Sequence, residues 1–154
     1  MGKGLSLAIA TWGYIGYTPA APGTAASVAA LAIAWAGVHL AGLPVWSFAA
    51  AAVLLSPLAV WASGAVAGQL GAEDPSIVVI DEVLGLWLAL APATSGSPQQ
   101  WLCALVLFRL FDILKPLGLR RLESLPGGRG IVADDLGAGA YAMIGVALVR
   151  WIGP

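Results

Sequence analysis

The segment 77-IVVIDEVLGLW-87 sets two adjacent carboxylates, Asp81 and Glu82, inside an otherwise apolar run. An ionised side chain at the centre of a lipid bilayer costs about 3 kcal/mol or more, so acids in such a setting usually serve an ion or a reaction. Later apolar segments add Asp112, Asp134 and Asp135 in similar surroundings. These residues together predict a membrane scaffold that brings several acids to one place.

The composition is that of a membrane protein. Of 154 residues, 60% are hydrophobic and 10% are charged, and the mean hydropathy is +0.90. A soluble domain of this length is about one quarter charged. We therefore expect an all-α, polytopic integral membrane protein with a single domain over residues 1–154. The net charge of −1 argues against a nucleic-acid partner. The single cysteine, Cys103, excludes an internal disulfide and a thiolate metal site.

Five apolar segments are predicted to span the membrane, separated by turns rich in proline, glycine and polar residues. The predicted spans are residues 25–42, 45–70, 77–91, 101–115 and 134–152. The apolar segment before them, residues 3–16, would reach only about 21 Å as a helix, against about 30 Å of hydrocarbon. It is therefore predicted to be a short interfacial or re-entrant helix.

The distribution of basic residues predicts the orientation. Five alternating spans place the loops 22–24, 73–76 and 115–133 on one face of the membrane. Six of the seven Lys and Arg residues lie on or near that face: Lys3, Arg109, Lys115, Arg120, Arg121 and Arg129. The positive-inside rule makes it the cytoplasmic face. Every intramembrane charge except Arg150 is predicted at that depth.

The charged residues in the spans suit a phosphate and a hard metal ion. Arg109, Asp112 and Lys115 are three apart, so they are expected to share one side of a helix. Asp134 and Asp135 open the predicted last span, where the positive end of the helix dipole favours negative charge. Several carboxylates without His or Cys favour Mg²⁺ over zinc, and protein-bound Mg²⁺ commonly takes substrate phosphate oxygens as further ligands.

Other interpretations remain open from the residues alone. A helix cap alone is the alternative role for Asp134 and Asp135, and the glycines of 127–130 suit a flexible link as well as a phosphate loop. Acids at membrane depth are also natural in an ion-coupled transporter or channel. A purely structural membrane subunit would leave the acids unexplained.

Four blocks of sequence carry a family resemblance. They are 22-PGT-24, 77-IVVIDEVLGLW-87, 108-FRLFDILKP-116 and 127-GGRGIVADDLGAG-139. In this order, from about residue 13 to residue 141, they resemble the phosphatidylglycerophosphatase A family. The chain departs from the family pattern at two places. The family has glycine at the position of Ala26, and it has a second proline near the position of Gly118.

The resemblance implies an enzyme of the bacterial inner membrane with its active site facing the cytoplasm. It implies a Mg²⁺-dependent phosphatase that removes the terminal phosphate of phosphatidylglycerophosphate to give phosphatidylglycerol, with the surrounding membrane lipids as further partners. The implied catalytic and metal-binding residues are Asp81, Glu82, Asp112, Asp134 and Asp135. The implied substrate-binding residues are Arg109, Lys115, Thr24 and Arg129. The oligomeric state stays open.

Overall fold

The structure is a computed structural model that describes residues 2–116 and 118–153. These residues form helices and connecting turns, without a strand, so the all-α prediction is confirmed. The helices are α1 (Lys3–Ala10), a short 3-10 helix (Ile15–Tyr17), α2 (Pro22–Ala41), α3 (Trp46–Leu70), α4 (Ile80–Ala89), α5 (Pro98–Leu114), α6 (Leu119–Glu123) and α7 (Gly128–Ile152).

Three of these helices are long and apolar enough to cross a membrane. They are α2, α3 and α7, with mean hydropathies of 1.6, 1.8 and 1.5 in their most apolar windows. At 1.5 Å per residue, α4 extends only about 15 Å and α5 about 26 Å, against about 30 Å of hydrocarbon. The first, second and fifth predicted spans thus meet this criterion in the described residues, and the count of about five is not confirmed.

The N-terminal segment is shorter than predicted. Instead of a helix over residues 3–16, α1 ends at Ala10. The Thr11 hydroxyl donates a hydrogen bond to the Leu7 carbonyl at 2.8 Å and accepts one from the Tyr14 amide at 3.1 Å. These bonds fix the turn that leads into the 3-10 helix. An eight-residue helix is about 12 Å long, too short to span a bilayer.

The last helix begins earlier than predicted, which corrects the interpretation of the glycine-rich segment. Helix α7 starts at Gly128, because the segment packs tightly against α3. A Cβ on Gly128 would meet the Val60 carbonyl oxygen and would lie 2.6 Å from the Gly64 amide. Asp134 and Asp135 therefore lie more than a turn inside α7. The prediction that they open the helix and interact with its dipole was wrong, as was the helix-cap alternative.

Helix α4 is the centre of the bundle. It packs against α2, α3, α5 and α7, and Val83, Leu84 and Leu86 are fully buried. Beyond its first turn α4 is apolar on all sides, and such a helix is expected to be enclosed by others. The outward faces of the surrounding helices expose large apolar side chains such as Leu54 and Trp151, as expected for a surface that meets lipid.

Two hydrogen bonds connect the C-terminal part of α4 and the turn after it to other helices. Towards the C-terminal end of α4, the Trp87 indole Nε1 donates a hydrogen bond to the Ala30 carbonyl of α2 at 3.1 Å. Arg150, the basic residue predicted on the face opposite the others, donates from Nη1 to the Pro92 carbonyl at 2.9 Å. The end of α7 is thereby tied to the turn that follows α4.

The crossing of α4 and α7 depends on glycine. A Cβ on Gly139 would collide with the Gly85 carbonyl oxygen, whereas a Cβ on Gly68 of α3 would meet nothing within 4 Å. We expect Gly139→Ala to lower the free energy of unfolding by about 1–3 kcal/mol, because overpacking forces the helices apart. The matched Gly68→Ala should be neutral or stabilising by up to about 1 kcal/mol. Thermal unfolding in detergent micelles measures both, and equal melting temperatures for the two variants would contradict this packing.

Candidate active site

The predicted charged residues meet in one cavity of about 210 Å³, formed by the start of α4, the end of α5, the interior of α7 and the start of α2. All five predicted acids and two of the predicted cations line it: Asp81, Glu82, Asp112, Asp134, Asp135, Arg109 and Lys115. The other two predicted substrate-binding residues, Thr24 and Arg129, are exposed and are not among its lining residues.

Three carboxylates converge inside this cavity. Asp81 and Glu82 come from the first turn of α4 and Asp135 comes from α7. One oxygen from each lies within 4.8 Å of the other two. Asp81 is only 6% exposed and Asp135 only 3%. We call Asp81, Glu82 and Asp135 the acidic trio.

The acidic trio fits a hard divalent cation. Asp81 Oδ1, Glu82 Oε2 and Asp135 Oδ2 are all buried, and none has a hydrogen-bond partner among residues 2–116 and 118–153. Burying a charged oxygen without a partner is strongly unfavourable, so a cation is the natural complement of this set. Carboxylate oxygens without nitrogen or sulfur donors are the ligands that Mg²⁺ prefers.

The remaining two acids are each held by a cation. Arg109 Nη1 lies 2.6 Å from Asp112 Oδ2 and 3.8 Å from Glu82 Oε1. Lys115 Nζ lies 2.7 Å from Asp134 Oδ2 and 2.8 Å from Glu123 Oε1. The structure thus divides the five predicted acids into three that converge and two that are paired.

Lys115 does not continue the helical face that carries Arg109 and Asp112. Helix α5 ends at Leu114, and Lys115 adopts a left-handed conformation with φ 45° just before Pro116. This change of direction carries its side chain to Asp134. Burial alone would lower the pKa of Lys115, but the hydrogen bonds to Asp134 and Glu123 raise it more, so the net shift is upward. Lys115 therefore remains a cation in this cavity.

The first turn of α2 closes the cavity. A Cβ on Gly23 would collide with Glu82 Oε1 and would lie 3.2 Å from Arg109 Nη1. Only glycine lets the helix backbone come this close to the charged pair. The proline of the same motif, Pro22, occupies the first position of α2, where its missing N–H costs nothing. The motif 22-PGT-24 thus contributes backbone to the site.

Reasoning from the sequence missed three polar contributors to this region. Asp74 and Ser76 line the cavity, and Glu123 binds Lys115. Desolvation by surrounding atoms raises the pKa of Asp74, and the nearby charge of Lys115 offsets part of that rise. The signal for Asp74 and Ser76 was their place in the turn before residue 77, on the face predicted for the acids.

A second cavity of about 520 Å³ adjoins the first and shares Asp74, Ile131 and Asp134 with it. It lies between the end of α3 and the segment before α7. Glu73 and Glu123 add two more carboxylates to its lining. The first cavity, which we call the charged cavity, thus adjoins a larger cavity lined by further acids.

Comparison with known proteins shows the family. The family model for phosphatidylglycerophosphatase A matches residues 8–150. The chain belongs to this family. The resemblance predicted from the four blocks is confirmed, and the chain is a phosphatase. An ion-coupled transporter is not favoured.

Curated relatives cover most of the chain. A phosphatidylglycerophosphatase A from Haemophilus influenzae is 35% identical over 85% of this chain and 80% of its own length. One from Escherichia coli is 32% identical over 90% of this chain and 77% of its own length. A Bacteroides thetaiotaomicron protein, provisionally named a phosphatidylinositol-3-phosphatase, is 40% identical over 89% of this chain and 88% of its own length. No solved structure matches the chain significantly.

Proposed function

We propose that this protein is a Mg²⁺-dependent phosphatase that hydrolyses the terminal phosphomonoester of phosphatidylglycerophosphate. Water supplies the attacking oxygen, the bond between phosphorus and the glycerol oxygen breaks, and that oxygen takes up a proton. The products are phosphatidylglycerol and inorganic phosphate. The substrate follows from the family and from its relatives in H. influenzae and E. coli.

The observation that carries the proposal is the acidic trio beside two cations in one small cavity. We assign the metal to Asp81, Glu82 and Asp135, because one carboxylate oxygen from each lies within 4.8 Å of the other two. Mg²⁺ bound there would neutralise charge on the phosphoryl oxygens and lower the pKa of a bound water.

Arg109 and Lys115 are assigned to the phosphate. A transferring phosphoryl group carries its negative charge on its outer oxygens, which cations stabilise. The buried Arg109 Nε has no hydrogen-bond partner among the described residues, so this guanidinium still has an N–H to donate. Asp112 and Asp134 hold the two cations in place through contacts of 2.6 and 2.7 Å.

One of the two paired acids is assigned to the attacking water. Asp134 uses Oδ2 to bind Lys115, while its Oδ1 is buried without a partner. Asp112 is the other candidate, since it also lines the cavity without belonging to the acidic trio. A carboxylate so placed orients the water and accepts its proton as the new bond to phosphorus forms.

The site is assigned to the cytoplasmic face of the inner membrane. Arg120 and Arg121 are exposed on α6, and Arg129 is exposed at the second position of α7. Basic residues near the ends of spans are retained on the cytoplasmic side, where they also attract anionic lipids.

A second substrate is favoured by one relative. The B. thetaiotaomicron protein is provisionally named for phosphatidylinositol 3-phosphate. Both substrates are phosphomonoesters on a phospholipid, so the same metal and cations would serve either. The headgroup, a glycerol or an inositol ring, is what distinguishes them.

Phosphate release by the purified protein tests the proposal. We expect release from phosphatidylglycerophosphate that needs Mg²⁺ and stops with EDTA. Glu82→Gln should lower the rate about a hundredfold or more, because it removes a charge that acts on the transition state. The matched control is Glu73→Gln, an acid outside the cavity, which should keep the rate within about twofold.

Three results would count against the proposal: release that is indifferent to EDTA, full activity in Glu82→Gln, or release from phosphatidylinositol 3-phosphate alone. The last result would leave the metal site standing and replace the substrate.

Labelling of introduced cysteines tests the orientation. In a Cys103→Ser background, Ser124→Cys would place a thiol before α7 and Gln99→Cys one at the start of α5; both positions are exposed. A membrane-impermeant maleimide added outside the inner membrane should label Gln99→Cys in intact cells. It should label Ser124→Cys only after lysis, because the end of the protein that carries most of the basic residues is retained in the cytoplasm. The reverse pattern would place the site on the outer face.

A further inference from the structure

A third cavity, of about 610 Å³, lies between the later part of α2 and the first part of α5. Its lining is mainly apolar and aromatic, with Val28, Ala32 and Trp35 on α2 and Trp101 and Leu102 on α5. Pockets that bind small molecules commonly have this size and character. We call it the apolar groove.

The helices that border the apolar groove meet at both of its ends. At one end the backbone of Gly23 lies beside Arg109, in the charged cavity. At the other end the rings of His39 and Trp101 lie 6.1 Å apart, and Trp35 stacks on His39 with ring centroids 4.4 Å apart. On α2, the groove begins about 7.5 Å beyond Gly23, and it ends at these aromatic rings.

One face of α5 carries lining residues of both the apolar groove and the charged cavity. Leu102, Leu105, Arg109 and Asp112 are spaced by three, four and three residues, so they follow one side of the helix. Arg109 and Asp112 line the charged cavity, and Leu102 lines the apolar groove.

A matching face of α2 carries Thr24, one of the two predicted substrate-binding residues that do not line the charged cavity. Thr24, Val28, Leu31 and Trp35 are spaced by four, three and four residues and so share a side of α2. Val28, Leu31 and Trp35 line the apolar groove. Thr24 therefore lies on the same side one turn nearer the charged cavity.

The length of the apolar groove suits a fatty acyl chain. Counted from Gly23, Val28 is about 7.5 Å and Trp35 about 18 Å along the axis of α2. Half of the hydrocarbon thickness of a bilayer is about 15 Å. An acyl chain attached to a headgroup in the charged cavity would thus end near the aromatic wall.

The rims of the apolar groove are open to the membrane. Val28 is 50% exposed and Leu102 is 60% exposed, so a lipid chain can enter sideways. The 520 Å³ cavity offers no comparable place, because Glu73, Asp74, Glu123 and Asp134 line it. An acyl chain packed against these carboxylates would remove water from them without giving them a hydrogen-bond or ion-pair partner, which is unfavourable.

We propose that the apolar groove between α2 and α5 holds an acyl chain of the phospholipid whose phosphate enters the charged cavity. This inference rests on the proposed function. Thr24 stands where the headgroup meets the chain, and Trp35, His39 and Trp101 limit how far the chain extends.

A bulky side chain in the middle of the apolar groove tests the proposal. Ala32 lines the groove about 13.5 Å beyond Gly23 along the helix axis, and Ala32→Trp would block it there. We expect kcat/KM for dioleoyl phosphatidylglycerophosphate to fall at least about tenfold, the loss from about two unburied methylenes. The dihexanoyl substrate, whose chains are too short to reach Ala32, should keep its kcat/KM within about twofold.

The matched control is Ile33→Trp, the next residue of α2, which is exposed outside the groove. It should leave both substrates unaffected. If Ala32→Trp lowered kcat/KM equally for both substrates, or for neither, the proposal that the apolar groove holds an acyl chain would be overturned. Turnover by the wild-type protein would still support the proposed function. A wild-type protein inactive towards both substrates would overturn both.

Discussion

Carboxylates enclosed by apolar helices must be balanced by nearby positive charge, and the charged cavity follows from that constraint. Asp112 and Asp134 are balanced by Arg109 and Lys115. Within the part of the chain that the structure describes, the acidic trio has no such close cationic partner, since Glu82 Oε1 lies 3.8 Å from Arg109 Nη1. Removing one partner of a buried ion pair typically costs several kcal/mol of folding free energy, because the other charge is left buried without compensation. The excess of buried negative charge is the strongest physical reason to assign a divalent cation to this family member.

The site forms because helix backbones approach one another closely at a few glycines. Gly23 brings the start of α2 against Glu82 and Arg109, while Gly85 and Gly139 let α4 and α7 cross in contact. Side chains from separate helices can then reach a common point. Small residues have this role in membrane helix packing generally, because dispersion contacts replace the hydrophobic driving force. The central helix α4 can be short because its neighbours, rather than lipid, enclose it.

Much of this arrangement was predictable from the sequence. Acids in apolar segments are rare and must be sequestered together, so the meeting of Asp81, Asp112 and Asp134 was predicted from their positions in apolar segments. Which acids converge and which pair with a cation was not predictable. The pairing of Asp134 depends on a single backbone conformation, because the left-handed conformation at Lys115 directs its ammonium to Asp134. The early start of α7 was also missed, since glycines usually indicate a loop and here permit packing on α3.

Direct binding of a divalent cation tests the central claim most sharply. Mn²⁺ is a suitable probe because its free form is detected by electron paramagnetic resonance and it accepts the same oxygen ligands. The account predicts Mn²⁺ binding that Mg²⁺ displaces, weakened at least about tenfold by Asp81→Asn on α4 and by Asp135→Asn on α7. Glu73→Gln should bind as the wild type does. Unchanged affinity in a folded Asp135→Asn protein would contradict a metal site shared by the two helices.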